Sequence, residues 1–470
     1  MFNGVEMKFA IACTKPVELD ENTGEVLRLE NVYYVYDNET SEIWEESGAP
    51  VDIDPVFKLS YKLANPVSPE NPLGKTRIKT LKIQLGLSCN YSCEYCSQRF
   101  VPNIEHSNTK MLEKFMSSLD SWVKYPPEEV EFWGGEPFVY WKNLKPLAEQ
   151  LREKWPLAEF LVITNGSLIT DEIIDWLDEL NFTVGVSHDG PGQNVRGPDP
   201  FEDPAQRENI FKLFDRLLPK KMISVNSMIH RENLDRGKIQ SYFENLFGSD
   251  KRFNIGEGSF IDVYDEGGLK NTLQSHAEHL GFRRLTLEQT RDGVNKRFIV
   301  VKNRLGEWID SWGNKRGWDT LGQKCGMDKE DTIAVDLNGN VLTCQNVTAV
   351  SKAPNGKSHR IGHTSQFEKI KLNTSTHWKF RDECAKCPVL QMCKGSCMFL
   401  QGEYFKKSCD SAYSDHIPFF AAAFEIATGA LPFAIKALDE SYSLPPERED
   451  LWGSIGSQEA IVPETRKDAI

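Results

Sequence analysis

Residues 80–96 read TLKIQLGLSCNYSCEYC. The run up to Leu87 alternates apolar and polar side chains as a strand does, and Cys89, Cys93 and Cys96 follow at once in the spacing CxxxCxxC. A loop at the C-terminal end of a strand is where βα folds build their sites. Three thiolates hold only three irons of a [4Fe-4S] cube, so the fourth iron is left for a ligand that reacts. Zinc is the competing reading, but it prefers four protein ligands in paired CxxC knuckles, and this loop supplies three cysteines in one run.

Working outward, strand candidates recur as EVEFWGG, EFLVITNG, FTVGVSHDG, MISVNSMIH and RFNIGEGSFIDVY. Between them lie MLEKFMSSLDSWVKY, LKPLAEQLREKW, DEIIDWLDEL and AQRENIFKLFDRLL, whose apolar residues recur at helical intervals. Alternating strands and helices predict an α/β fold with a parallel sheet. Six βα units fall short of a full TIM barrel, so a partial (β/α)6 TIM-type barrel is expected over residues 76–265. Residues 1–75 alternate at MKFAIAC and VYYVYDNETSEIWEE and end in NPVSPENPLG, which predicts a small N-terminal β-rich appendage and a linker. Residues 266–320 read as a helical connector, 321–415 as a C-terminal cysteine-rich domain, and 416–470 as a helix with a polar, mobile tail from Ser443.

A chain of 470 residues with 40% hydrophobic content buries a large core. Its formal charge of −14 argues against general binding to nucleic acid or an anionic membrane, since each needs a basic surface. The opening MFNGVEMKFAIACTKP has no charged stretch leading into an apolar one, so a cytoplasmic location is expected. IPFFAAAFEIATGALPFAIK, from Ile417 to Lys436, is interrupted by Glu425, Gly429 and two prolines and predicts a packed helix, not a membrane span. Eleven cysteines in a reducing compartment point to metal ligation, and Cys13 alone stands outside a group, as a buried or idle thiol.

The CxxxCxxC loop, with Tyr95 before its third cysteine, resembles that of the radical SAM enzymes. The resemblance implies that the open iron chelates the amino and carboxylate groups of S-adenosyl-L-methionine (SAM). Reductive cleavage then yields a 5'-deoxyadenosyl radical that abstracts a hydrogen from substrate. It also implies cofactor contacts from Tyr95, from Gly134, Gly135, Glu136 and Pro137 of FWGGEP, from Thr164 and Asn165 ahead of Gly166, and from Ser187 in SHDGP with Asp189. Asn226 in the fifth strand is a further candidate, and Arg196 matches the family's arginine after DGP.

The pattern Cys325-x13-Gly339-x4-Cys344, Cys384-x2-Cys387-x5-Cys393-x3-Cys397 and Cys409 resembles the seven-cysteine signature of the SPASM extension. That likeness sends Cys384, Cys387, Cys393 and Cys409 to a distal auxiliary cluster and Cys325, Cys344 and Cys397 to a nearer one, for three [4Fe-4S] clusters in all. A zinc ribbon or a stapled loop domain is the plainer reading, against which the odd total of seven and the upstream motif both argue. No cysteine lies between Cys96 and Cys325, so the nearer cluster is expected to keep an open iron. Water, a non-cysteine side chain, a substrate thiolate or, less readily, Cys13 would fill it.

Enzymes with both halves mostly modify ribosomally made peptides or proteins. The resemblance therefore implies a RiPP-type peptide maturase forming a thioether or carbon–carbon crosslink, served by a flavodoxin- or ferredoxin-type electron donor. A dehydrogenase or epimerase acting on a small molecule, formylglycine formation, and a non-catalytic iron-sulfur carrier are the alternatives. Formylglycine formation is disfavoured because the sulfatase-maturating enzymes place an aspartate after the second auxiliary cysteine as proton acceptor. Gln345 stands there, and its amide has no basic site. Residues 1–75 lack the three helical segments of a leader-binding winged helix, which makes a separate leader-recognition protein an expected partner. His276 and His279 of HAEH read as an exposed helix face, Trp133 as core or pocket wall, and neither His188 nor any motif identifies a catalytic acid or base.

Overall fold

Leu81 and Ile83 leave β5 (Thr80–Gln84) on one side, Lys82 and Gln84 on the other, and this alternation sets the layers of the larger sheet. Parallel pairing carries it outward from β5 through β6 (Glu129–Trp133), β7 (Glu159–Thr164), β8 (Phe182–Ser187) and β9 (Ile223–Ile229) to β10 (Ile255–Phe260). Leu81, Val130, Phe160 and Phe182 lie in register on the apolar face, and all are buried. The helices Thr109–Trp122, Trp141–Lys154, Asp171–Glu179, Pro204–Leu217 and Arg236–Phe247 alternate with these strands; Trp176, from the third of them, packs on Phe182 at 4.8 Å between ring centroids. Asn108, Thr170, Asp203 and Asp235 cap four of these helices by accepting from orphan backbone N–H groups, so each starts where a capping side chain is available. The opposite face is polar: Lys82 and Glu131 are cross-strand neighbours and form an ion pair at 2.8 Å.

The computed structural model describes residues 7–20, 23, 26–102, 108–292, 297–373 and 377–453. It shows a partial barrel whose sheet is longer than the expected six strands. β11 (Thr332–Asp336), from the cysteine-rich region, pairs parallel to β5, and β12 (Asn340–Leu342) and β13 (Arg360–His363) continue antiparallel. β11 covers the edge β5 would otherwise expose. A small ladder joins β4 (Leu73–Gly74) to β14 (Lys371–Leu372).

The N-terminal strands β1 (Lys8–Leu19), β2 (Val26–Asp37) and β3 (Ile43–Glu45) form an antiparallel sheet completed by β15 (Leu431–Ala437). The expected helix from Ile417 to Lys436 is therefore two elements. A helix over Gly402–Thr428 stops at Gly429, whose φ of 72° is left-handed, and the chain returns as β15. Phe420 and Phe424 of that helix meet Tyr36 and Tyr34 of β2 at 5.4 and 5.3 Å, so the N-terminal sheet is packed against the body of the protein. Cys13 lies buried in β1 between Val32 and Pro432, and burial pushes its thiol pKa up. The first part of the tail, expected to be mobile, is also packed: Leu444, Leu451 and Trp452 are buried, and Trp452 Nε1 donates to the Pro432 carbonyl at 2.8 Å. Residues 454–470 lie outside the described residues. No helix among the described residues is long and apolar enough to cross a membrane.

Candidate active site

The three-cysteine loop leaves β5 at the C-terminal end of the sheet and is held from two sides. Tyr140 occupies the space a side chain at Gly86 would need, and Ser88 N–H donates to its hydroxyl at 2.7 Å. Gly135 N–H and Glu136 N–H donate to the carbonyls of Gly86 and Ser88 at 3.1 and 3.0 Å. A Cβ on Gly135 would stand 2.4 Å from the Ser88 oxygen, so this glycine is required by backbone-to-backbone contact with the cysteine loop.

Glu136, itself buried, gathers the next strand end. It accepts from Thr164 Oγ1 at 2.8 Å, Asn165 N–H at 2.7 Å and Phe138 N–H at 3.1 Å, and burial pushes its pKa up to about 7 against those donors. Asn165 Nδ2 donates to Asn90 Oδ1 at 2.9 Å, which ties the TNG segment to the cysteine loop. Pro137 is buried and begins the turn that delivers Tyr140.

Asp189 is the second organiser. Tyr95 Oη donates to its Oδ2, while Arg196 Nη2 and Met228 N–H donate to Oδ1 at 3.0 and 2.9 Å. Burial opposes the charge, but Arg196 and His230 outweigh it, and the carboxyl stays below its usual range. His188 is fully buried; its Nδ1 accepts from Gly190 N–H at 2.9 Å, leaving Nε2 to donate to Asp199 at 2.9 Å, so it fixes the turn after β8. Ser187, half-buried, ends β8 in register with Asn226. Asn226 itself lies across two flanking glycines: Cβ atoms on Gly185 and Gly256 would each stand 2.4 Å from its amide.

The structure brings the ten remaining cysteines together in the three groups named from the sequence. Within the first, burial pushes Cys93 up to about 12, opposed by Arg196 and reinforced by Cys96 and Cys89. Cys344 also rises to about 12, through burial and then the neighbouring Cys325 and Cys397. Cys384, Cys387, Cys393 and Cys409 together line one small cavity of about 20 Å³. Backbone N–H groups two residues downstream point at the sulfurs: Tyr91 to Cys89 at 3.3 Å, Gln98 to Cys96 at 3.4 Å, Asn346 to Cys344 at 3.4 Å, and likewise at Cys325, Cys387, Cys393 and Cys397. Such N–H···S donors stabilise thiolate ligands and tune a cluster's potential. Among the described residues no three His, Cys, Asp or Glu side chains converge closely enough to hold a single metal ion. Thiolates are soft donors of the kind that iron-sulfur clusters take.

Two further groups carried no sequence signal. Arg448, from the C-terminal segment, donates to Cys409 Sγ at 3.3 Å and to Asp410 at 2.8 Å. The Lys82 charge reaches Cys325 and Cys344 from the polar face of the sheet, where Glu131 also accepts from Trp133 Nε1 at 2.5 Å. His279 is half-buried and bonded to Ser414 at 2.9 Å, unlike its exposed neighbour His276.

Residues 83–239 match the family model described as the radical SAM superfamily. The chain is a radical SAM enzyme. SAM and [4Fe-4S] chemistry come with that membership. This radical SAM enzyme is distantly related to maturases that carry a SPASM region. It is 22% identical over 381 residues, 72% of this chain and 71% of the relative, to the radical SAM cyclopropyl synthase TigE of Paramaledivibacter caminithermalis. It is 25% identical over 344 residues, 67% of this chain and 80% of the relative, to the serine-type anaerobic sulfatase-maturating enzyme of Bacteroides thetaiotaomicron. Its fold resembles that of native anSMEcpe with bound AdoMet and Cp18Cys peptide, with a TM-score of 0.53 and 21% identity over 74% of this chain and 99% of that one.

Proposed function

We propose that this radical SAM enzyme modifies a peptide or protein, as a RiPP-type maturase that forms a thioether or carbon–carbon crosslink. The observation that carries the reading is the cysteine loop itself: Cys89, Cys93 and Cys96, pinned by Tyr140, Gly135 and Glu136 at the mouth of the partial barrel. These three cysteines hold the SAM-binding [4Fe-4S] cluster, and Cys325, Cys344 and Cys397 with Cys384, Cys387, Cys393 and Cys409 hold two auxiliary ones. Cluster and SAM together supply a 5'-deoxyadenosyl radical that takes a hydrogen atom from the substrate. The protein's own contribution is placement. Gly134 to Pro137, Thr164, Asn165, Ser187 and Asn226 would hold SAM, and Glu136 ties the end of β7 to the end of β6. Tyr95 acts through Asp189, with Arg196 supplying the positive charge that opposes the rise of the Cys93 pKa.

A polypeptide substrate is supported by relatives named as maturases of sulfatases and by the anSMEcpe structure with its Cp18Cys peptide. Among those relatives, formylglycine chemistry is the weaker reading here. Gln345 follows Cys344 and faces its sulfur at 3.6 Å, and an amide cannot accept the proton. TigE is named for cyclopropyl synthesis, a carbon–carbon bond-forming outcome. The described residues of the first 75 form strands and extended chain without a helix, which favours a separate leader-recognition partner beside a flavodoxin- or ferredoxin-type donor.

Anaerobically reconstituted protein is expected to bind iron equivalent to three [4Fe-4S] clusters and to release 5'-deoxyadenosine from SAM and dithionite, and Cys93→Ala to release none. Mass spectrometry of a co-expressed short peptide should then show loss of a pair of hydrogen atoms. Deoxyadenosine formation stimulated by a sugar or alcohol, and by no peptide, would instead select the small-molecule reading.

A further inference from the structure

The loop after Cys344 is tied to the barrel by four hydrogen bonds shared with residues in or beside the cysteine loop. Gln84 Nε2 donates to the carbonyls of Gln345 and Val347 at 2.6 and 2.7 Å. Gln98 Nε2 donates to Asn346 Oδ1 at 2.8 Å, and Thr348 Oγ1 donates to the Pro102 carbonyl at 2.8 Å. The Gln98–Asn346 bond differs in kind from the others. Gln98 N–H also donates to Cys96 Sγ, and Asn346 N–H to Cys344 Sγ, each at 3.4 Å. The two residues that meet therefore each carry a hydrogen bond to a cysteine sulfur. An unbroken line of covalent bonds and three hydrogen bonds runs from Cys96 Sγ through Gln98 and Asn346 to Cys344 Sγ, with both side chains half-buried.

Electronic coupling falls off less steeply along bonds and hydrogen bonds than across unfilled space, and N–H···S bonds act on the sulfurs that share a cluster's electron density. We propose that the Gln98–Asn346 hydrogen bond is the electronic contact between the cluster site at Cys89, Cys93 and Cys96 and the nearer auxiliary site at Cys325, Cys344 and Cys397. One electron crosses: the auxiliary site is oxidised by one electron as the other is reduced by one, with no proton moved and no outside acceptor. The Gln84 and Thr348 bonds hold the same loop through backbone carbonyls, so they position it without lying on the line. The inference rests on the assignment of Cys96 and Cys344 to separate clusters.

The test uses reconstituted full-length protein given substoichiometric single electrons by a flash-excited deazaflavin. Redistribution between the clusters is followed by freeze-quench EPR in the wild type, Gln98→Ala, Asn346→Ala and Gln84→Ala. A several-fold slower redistribution is expected in the first two variants and a wild-type rate in Gln84→Ala. Equal rates in all four proteins would overturn the proposal, and so would equal slowing in Gln84→Ala, which would trace the effect to anchoring of the loop. Iron content and EPR of Cys344→Ala separate the two layers. Loss of one auxiliary signal upholds the cluster assignment whatever the rates show, and an unchanged spectrum overturns that assignment directly.

Discussion

Arg448 shows how much one side chain is expected to set. Its side chain is only 13% exposed, and its guanidinium spans Cys409 and Asp410. A positive charge with an N–H···S bond favours the more negative, reduced state of a cluster, so it raises the reduction potential. Arg448→Gln is therefore expected to lower the midpoint potential of the distal cluster, and Arg448→Lys to restore part of it, in an EPR-monitored redox titration. Identical potentials in all three proteins would remove Arg448 from the cluster's influence. Gly135→Ala tests the other end of the site. Its Cβ would meet the carbonyls of Leu87 and Ser88 at 2.5 and 2.4 Å, and backbone cannot yield as a flexible side chain can. Iron in the three-cysteine loop and 5'-deoxyadenosine release should both fall, while auxiliary-cluster EPR signals and far-UV circular dichroism persist. The grouping of the cysteines was legible in the sequence because it lies in short fixed spacings such as CxxxCxxC. Arg448 and Tyr140 were not, since each reaches its target from 39 and 52 residues away and no spacing rule marks it.

At the scale of elements, legibility followed locality. The strands β5 to β10 and the helices between them were readable because each βα unit carries its own period of apolar residues. β11 and β15 were not, because TIAVD and LPFAIKA become strands only by pairing with β5 and β1, far away in the chain. Helix Gly402–Thr428 was misjudged at its C-terminal end for the same reason. Its burial is anchored by Asp415, which accepts from Arg236 Nη2 at 2.5 Å and from Arg304 Nη1 at 2.8 Å and so locks together three helices. Burial alone would raise the Asp415 pKa, but Arg304 and then Arg236 overcome it and hold the carboxyl far below its usual range. Asp415→Asn leaves two buried guanidinium groups uncompensated and should cost roughly 3–5 kcal/mol in urea unfolding near neutral pH. The sign with pH follows from the depressed pKa. The stabilisation is complete above the unfolded value of about 3.9 and is lost as pH falls below it toward the folded value. The variant should accordingly show a shallower loss of stability across that acid window than the wild type.

For the whole molecule, the N-terminal sheet and the C-terminal segment depend on each other. Ile11 pairs with Ile435 and Cys13 with Pro432, and Trp452 is bonded to Pro432, so the first strand and the last close one sheet. The same segment carries Arg448 to Cys409 and is held by Arg283, which donates to the Glu447 carbonyl at 2.8 Å. Contacts of such long sequence separation form late in folding and leave no local trace in the sequence, which is why residues 1–75 read as an independent appendage. A chain ended at Gly429 loses β15 and exposes the β1 edge, with Phe9 and Ile11, fully buried in the complete protein, uncovered alongside it. That truncation should lower the thermal unfolding midpoint, promote aggregation, and shift the distal-cluster EPR signal through the loss of Arg448, while the cysteine loop on β5 still binds iron. A truncated protein with the full-length midpoint and an unshifted distal signal would show that the two ends of the chain fold and function apart.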